Sequence, residues 1–82
     1  MIMERTEIIE KLNVIFREVF NDANIAVRDD MTAEDVETWD SLTNMLMISS
    51  VEKTFGIKIK LREINKLETV GNLIDLIGSK VN

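Results

Sequence analysis

The sequence contains no cysteine, histidine, proline or tyrosine, and the first two absences each exclude a class of chemistry. Without cysteine, the chain cannot form a disulfide framework, a thiolate metal site or a thiol nucleophile. Without histidine, it can build neither a Ser-His-Asp triad nor a His-ligated zinc site. We therefore predict no catalytic residue and no metal site, which argues against an enzyme.

Long hydrophobic runs and linker-like segments are also missing. The longest apolar run, residues 45–48, has four residues, whereas a membrane-spanning helix needs about 20. The amino-terminal residues lack a signal-peptide core, and no repeat or low-complexity segment divides the chain. With 82 residues, 45% hydrophobic and 30% charged, we expect one globular domain over residues 1–82. We expect a cytoplasmic monomer without membrane insertion.

The negative charge is unevenly distributed along the chain. Residues 1–52 hold twelve acidic and four basic residues, while residues 53–82 hold three acidic and six basic ones, for a net charge of −5. A concentrated basic face, which binding to a nucleic-acid backbone requires, is absent from this pattern. The overall charge also disfavours anionic membrane surfaces. We therefore expect partners that are proteins or small molecules, and no nucleic acid.

Apolar residues at intervals of three and four predict helices. The first covers about residues 4–20. The second begins at the N-cap Asp40 and ends at Phe55, before a left-handed Gly56. A short helix of one or two turns follows within residues 61–67, and Thr69 caps the last helix. The fold class is all-α: a small four-helix bundle with three main helices, a short third helix and a long first loop.

That long first loop, residues 21–40, has sparse apolar residues without a sustained period. Thr32 can open one short helical turn within it. A loop of this length is usually functional or disordered. Its apolar residues predict that it is held against the core; they are Ile25, Val27, Met31, Val36 and Trp39.

Ser41 is the candidate modification site. It occupies the first position inside the second helix, where a group on its hydroxyl would lie beside free backbone N–H donors and the positive end of the helix dipole. Serine after an aspartate cap is also an ordinary way to begin a helix, so this tripeptide alone leaves both interpretations open.

The surrounding residues carry a resemblance to a known family. From residue 39 to residue 59 the run WDSLTNMLMISSVEKTFGIKI resembles the acyl carrier protein family, as does LETVGNL at the start of the last helix. The resemblance implies that a phosphopantetheinyl transferase attaches 4′-phosphopantetheine from coenzyme A to Ser41, and that acyl groups are carried on its thiol. It also implies that Asp40 caps the helix and helps to orient magnesium and the serine hydroxyl during transfer. Leu42 matches a residue that packs beside the arm, although a place in the core explains it equally well.

The second helix departs from the family pattern. In typical fatty-acid carriers this helix is strongly acidic and docks on basic partner surfaces, whereas its only charges here are Asp40, Glu52 and Lys53. We expect Leu46 to be exposed, and two of Met45, Met47 and Ile48 to lie in the core. Acidic residues lie instead in residues 29–40, which hold six acids and no base; this loop either is simply solvated or steers partners. The candidate partner-recognition residues are Thr43, Leu46, Glu52, Lys53, Asp35 and Glu37.

The resemblance therefore implies a non-catalytic carrier that presents acyl thioesters to acyl-ligating, acyltransferase or condensing enzymes. Its departures favour lipid, polyketide or related specialised biosynthesis. One alternative is an aminoacyl or peptidyl carrier, including D-alanyl carriers, which shares the arm and the fold. Another is a helical adaptor that is never modified.

Overall fold

The computed structural model describes residues 2–82. Its four helices are α1 (Arg5–Val19), α2 (Ser41–Phe55), α3 (Leu61–Ile64) and α4 (Val70–Val81). A 3₁₀ turn at Ala33–Asp35 interrupts the long connection between α1 and α2. The predicted all-α bundle with one short helix and a long first loop is confirmed. Within residues 2–82, no helix is long and apolar enough to cross a membrane.

The core lies where α1 packs against α2 and α4. Helical spacing directs one apolar stripe of each long helix inward. Among residues 2–82, the largest side chains that are almost fully buried are Leu12, Phe16, Phe20, Met47, Val51, Val70, Leu73, Ile74 and Ile77. Burial of such side chains contributes roughly 1.5–3 kcal/mol each, so these stripes hold the three long helices together.

The long connection is fastened to the bundle rather than free. Four of its predicted anchors, Ile25, Val27, Met31 and Val36, are buried, and Trp39 packs partly buried against the core. The backbone N–H of Val70 donates to the carbonyl of Met31 at 2.8 Å. These contacts fix the loop that leads into α2.

An aromatic cluster sets the position of the last loop residues. Trp39 lies with its ring centroid 5.4 Å from that of Phe16 and 5.1 Å from that of Phe20. The Thr38 hydroxyl donates to the Phe20 carbonyl at 3.0 Å. The start of α2 is therefore anchored to the end of α1, which gives the candidate site a rigid base.

The turn after α2 follows its predicted chemistry. Gly56 ends the helix with φ 66° and ψ 39°, the left-handed conformation that favours glycine at this position. The Glu52 carboxylate then accepts the backbone N–H of Ile59 at 2.8 Å. The connection to α3 is thus tied back to α2.

One carboxylate joins α3 to α4. Glu63 accepts the backbone N–H of Lys60 at 2.9 Å and forms an ion pair with Lys80 at 3.1 Å. The hydrogen bond from Lys60 and then that from Lys80 hold the pKa of Glu63 below its usual range. The short helix therefore has a capped start and a fixed neighbour despite its single turn.

Candidate functional site

A reciprocal cap begins α2. The Asp40 carboxylate accepts the backbone N–H of Thr43 at 2.9 Å, and the Thr43 hydroxyl accepts the backbone N–H of Asp40 at 2.8 Å. The Thr43 hydroxyl also donates to the Thr38 carbonyl at 2.8 Å. This capping box satisfies donors that a helix start leaves unpaired. It fixes the backbone on both sides of Ser41.

The Asp40 carboxylate is stabilised as an anion by this arrangement. Its pKa lies below the usual range, first because it accepts the Thr43 backbone N–H and second because the Thr43 hydroxyl lies 3.2 Å away. The positive end of the helix dipole favours the same charge state. Asp40 is therefore ionised at neutral pH beside the candidate serine.

Ser41 is the first residue of α2, and its side chain is exposed. None of the side-chain hydrogen bonds within residues 2–82 involves its hydroxyl. No general base is therefore in place to activate it as a nucleophile. The hydroxyl is accessible to a modifying enzyme and does not contribute to holding the fold.

An open depression of about 390 Å³ lies beside Ser41. Its walls are formed by Ala33, Trp39, Asp40, Ser41, Asn44, Leu67 and Glu68. The indole N–H of Trp39 donates to the Asn44 side-chain carbonyl at 3.0 Å, which fixes both side chains. The depression therefore has a mixed lining, with three apolar residues and four polar or charged ones.

A smaller cavity of about 60 Å³ lies towards the core from this depression. The two share the wall residues Trp39, Asn44, Leu67 and Glu68. Helices α2, α3 and α4 supply the remaining walls of the cavity, which are Met47, Ile64, Thr69, Val70 and Leu73. Ligand pockets usually measure about 300–1,000 Å³, so the cavity in this conformation is too small for a long chain.

Leu42 lies next to Ser41 but does not enter the core. Its side chain is 71% exposed, which overturns the alternative that it packs in the interior. Met45 is also exposed, whereas Met47 and Ile48 are both buried. The prediction that two of these three residues lie in the core is confirmed, and so is the exposure of Leu46 at 51%.

The remaining predicted recognition residues occupy different environments. Lys53 and Glu37 are exposed. Thr43 and Glu52 are partly buried, and their polar atoms serve the cap of α2 and the turn after it. Asp35 accepts the backbone N–H of Thr32 at 2.9 Å and pairs with Arg28 at 3.4 Å. These contacts are structural, and a recognition role for each residue remains a prediction.

Five residues that line the depression were not predicted as site residues: Ala33, Trp39, Asn44, Leu67 and Glu68. Leu67 and Glu68 come before the cap of α4, and folding brings them beside the start of α2 together with Trp39 and Asn44. The spacing of residues along the sequence does not show that α2 lies beside the connection between α3 and α4. The only signal was that Trp39 and the Leu67-Glu68 pair belong to the segments that resemble the family.

Comparison with known proteins gives the class to which this all-α domain belongs, a carrier domain with a prosthetic group. Residues 10–77 match the family model described as "Phosphopantetheine attachment site". An acyl carrier protein of Thermosynechococcus vestitus is 35% identical over 80 residues, covering 96% of this chain and 98% of that protein. An acyl carrier protein of Buchnera aphidicola subsp. Acyrthosiphon pisum is 37% identical over 73 residues, covering 89% of this chain and 81% of that protein.

A solved structure shows the same architecture. The solution NMR structure of holo acyl carrier protein from Geobacter metallireducens superposes with a TM-score of 0.85 at 41% identity, covering 89% of this chain and 84% of that one. This chain belongs to the acyl carrier protein family. It is accordingly a carrier rather than an enzyme, and its cofactor is a covalently attached 4′-phosphopantetheine.

The residues present at the start of α2 fit such a group. The Ser41 hydroxyl is exposed and forms no hydrogen bond with any described residue. It lies at the helix end where the dipole favours a phosphate. The adjoining depression provides the apolar side chains of Ala33, Trp39 and Leu67, together with the polar side chains of Asp40, Asn44 and Glu68. When bound, the cofactor supplies the thiol that this cysteine-free chain lacks.

Proposed function

We propose that Ser41 carries the 4′-phosphopantetheine arm, and that this protein presents acyl thioesters to partner enzymes of a specialised lipid or polyketide pathway. The observation that carries the proposal is the exposed, unpartnered Ser41 hydroxyl at the first position of α2, beside an open depression. The partners are a phosphopantetheinyl transferase and acyl-ligating, acyltransferase or condensing enzymes.

The residues around Ser41 have distinct parts in this proposal. Asp40 and Thr43 hold the backbone of the attachment position through the capping box. Asp40 stays ionised, and its carboxylate is available to a magnesium ion that a transferase brings with coenzyme A. Trp39 and Asn44 keep the wall of the depression in place through their shared hydrogen bond.

The choice of acyl groups as cargo rests on the relatives, which are named acyl carrier proteins. The specialised pathway is proposed because the exposed residues of α2 include no carboxylate, in contrast to the acidic second helix of typical fatty-acid carriers. The Ser41 site is compatible with an aminoacyl group as well, so the mass of the cargo in the native host discriminates between the two.

Attachment at Ser41 is tested by modification of the unmodified protein. We expect incubation with coenzyme A, magnesium and a broad-specificity phosphopantetheinyl transferase to add the mass of one phosphopantetheinyl group, located on Ser41 by peptide mass spectrometry. Ser41→Ala should fold and gain no mass. Ser79→Ala is the matched control, since Ser79 is also exposed but lies on α4, and it should be modified like the wild type. A Ser41→Ala protein that is still modified would show that the assignment is wrong.

A further inference from the structure

The outward face of α2 combines apolar and basic side chains. Within residues 2–82, six large hydrophobic side chains are prominently exposed, and three of them lie within five residues at the Ser41 end of this helix: Leu42, Met45 and Leu46. At 100° per residue, Leu42 and Leu46 share one stripe with Ser49 and Lys53, and Met45 lies on its flank. We call these five residues the outer stripe of α2. It extends for about 16 Å.

The far end of the outer stripe is positively charged. Lys53 and Lys58 line one depression at the carboxyl-terminal end of α2. Neither lysine forms an ion pair with any residue of the range 2–82. The carboxylate in this depression, Glu52, is already bound to the backbone N–H of Ile59 at 2.8 Å. The depression therefore presents two cations without an ion-pair partner among the described residues and one carboxylate, Glu52, which leaves it with a net positive charge.

We propose that the outer stripe of α2 docks a partner enzyme whose matching surface is an apolar recess with carboxylates at the end that meets Lys53 and Lys58. The inference rests on the proposed attachment of the arm at Ser41. Any enzyme that acts on that arm approaches the start of α2, where Leu42 adjoins Ser41 and Leu46 lies one turn further along.

The two ends of the outer stripe contribute to docking in different ways. Covering Leu42, Met45 and Leu46 removes apolar surface from water, which stabilises the complex and depends little on salt. The lysines contribute orientation and association rate through charge complementarity, which salt screens over roughly 8 Å at physiological ionic strength. An acidic surface on the partner therefore fits this stripe, and a basic one is repelled at its far end.

The test uses the full-length protein already carrying its phosphopantetheine, and the enzyme of the source organism that acylates it, purified by that activity. We expect Leu46→Ser to lower kcat/KM for the carrier by about tenfold, as for the minority of interface residues whose truncation weakens binding substantially. Lys53→Glu should lower it by about fivefold at low salt, with a smaller loss as salt is raised.

Matched controls isolate the stripe. Val14→Ser removes a comparably exposed apolar residue, 54% exposed on α1, and Lys11→Glu makes the same charge change on α1. Both should stay within about twofold of the wild type, as surface substitutions outside an interface usually do. Circular dichroism with thermal unfolding confirms that all four variants remain folded.

Three outcomes would overturn the inference. The first is acylation of Leu46→Ser and Lys53→Glu within twofold of the wild type. The second is faster acylation of Lys53→Glu, which would indicate a basic partner. The third is a concentration-dependent dimer in sedimentation that Leu46→Ser abolishes, which would assign the stripe to a second copy of this chain. Failure of the proposed function is distinct, because Ser41 would then gain no mass before any acylation is measured.

Discussion

Asp40 illustrates how one side chain serves both folding and the attachment site. Its carboxylate accepts the Thr43 backbone N–H and so begins α2, and the same contact keeps the pKa of Asp40 below its usual range. Since Ser41 is the next residue, the cap that stabilises the helix also presents the hydroxyl. A change at Asp40 therefore affects the stability of the fold and the rate of modification together.

The lowered pKa of Asp40 makes part of the stability depend on pH. A group with a lowered pKa in the folded state adds stability above its unfolded pKa, and this stability is lost as pH falls through the folded pKa. We expect the free energy of unfolding to fall less steeply below about pH 4 in Asp40→Asn than in the wild type, because asparagine also caps helices but does not titrate. Urea unfolding at a series of pH values measures this.

Asp40→Ala is the companion variant, since it removes the cap as well as the titration. We expect lower stability than Asp40→Asn at pH 7 and slower modification of Ser41. Equal stability of the two variants at pH 7 would contradict the importance of the capping box.

Gly71 and Gly78 both lie in α4 but differ in the space available for a side chain. A Cβ at Gly71 would lie 2.8 Å from the carbonyl oxygen of Asp29, which accepts the Gly71 backbone N–H, whereas one at Gly78 would make an ordinary 3.8 Å contact with Ile8. The close approach of the long loop to α4 therefore requires glycine at residue 71 only.

Alanine substitution is expected to change the free energy of unfolding in opposite directions at these two glycines. We expect Gly71→Ala to destabilise the protein by about 1–3 kcal/mol, as overpacking does, although alanine is the better helix former. Gly78→Ala should stabilise it by about 0.5–1 kcal/mol through helix propensity. Chemical denaturation of both variants measures the two changes, and a stabilised Gly71→Ala protein would contradict the described contact between the loop and α4.

At the scale of the element, side-chain caps define where the helices begin. Thr69 accepts the backbone N–H of Asn72 at 3.2 Å, and the Asn72 side chain accepts that of Thr69 at 3.1 Å. This second capping box starts α4, the helix that supplies five buried residues to the core. The start of α4 also lies beside the long loop that leads to Ser41.

Removal of this cap is expected to weaken α4. Thr69→Ala should lower the free energy of unfolding by about 1 kcal/mol, the usual effect of losing a threonine N-cap. Thr54→Ala is the matched control, because Thr54 is exposed within α2, where alanine is a better helix former and the change should be neutral or slightly stabilising. If urea denaturation finds the same effect for both variants, the cap contributes nothing measurable.

Helix boundaries were well predicted because their signals are local. Asp40 and Thr69 act as caps and Gly56 adopts the left-handed conformation, all as expected from residue type and position. The place of Leu42 was left open by the sequence. Helical spacing is compatible with Leu42 in the core, and only the structure shows that its side chain is exposed at the start of α2.

At the scale of the whole molecule, folding changes the meaning of the charge pattern. The six acids of residues 29–40 appear in the sequence as an unopposed block, but Arg5 pairs with Asp29, and Arg28 pairs with Asp30 and Asp35. These partners lie outside the block, Arg5 by more than twenty residues. The Arg5 pair could not be predicted from sequence, because it depends on how α1 packs beside the loop, whereas Arg28 adjoins the block and its pairing is local.

The candidate site shows the same division between local and long-range information. Ser41 and its cap are adjacent in sequence and were found from it. The walls contributed by Leu67 and Glu68 come from the connection before α4, and only the packed bundle places them beside Trp39. The chemistry expected at the site was implied by the family resemblance, whereas the residues that form its walls were identified only from the structure.

The most direct test of the proposed carrier function is the intact mass of this protein purified from its own organism, followed by fragmentation of the peptide that contains Ser41. We expect a phosphopantetheinyl group on Ser41, with an acyl group on its thiol in part of the population. A natively expressed protein of unmodified mass, or one that carries the group on another residue, would contradict it.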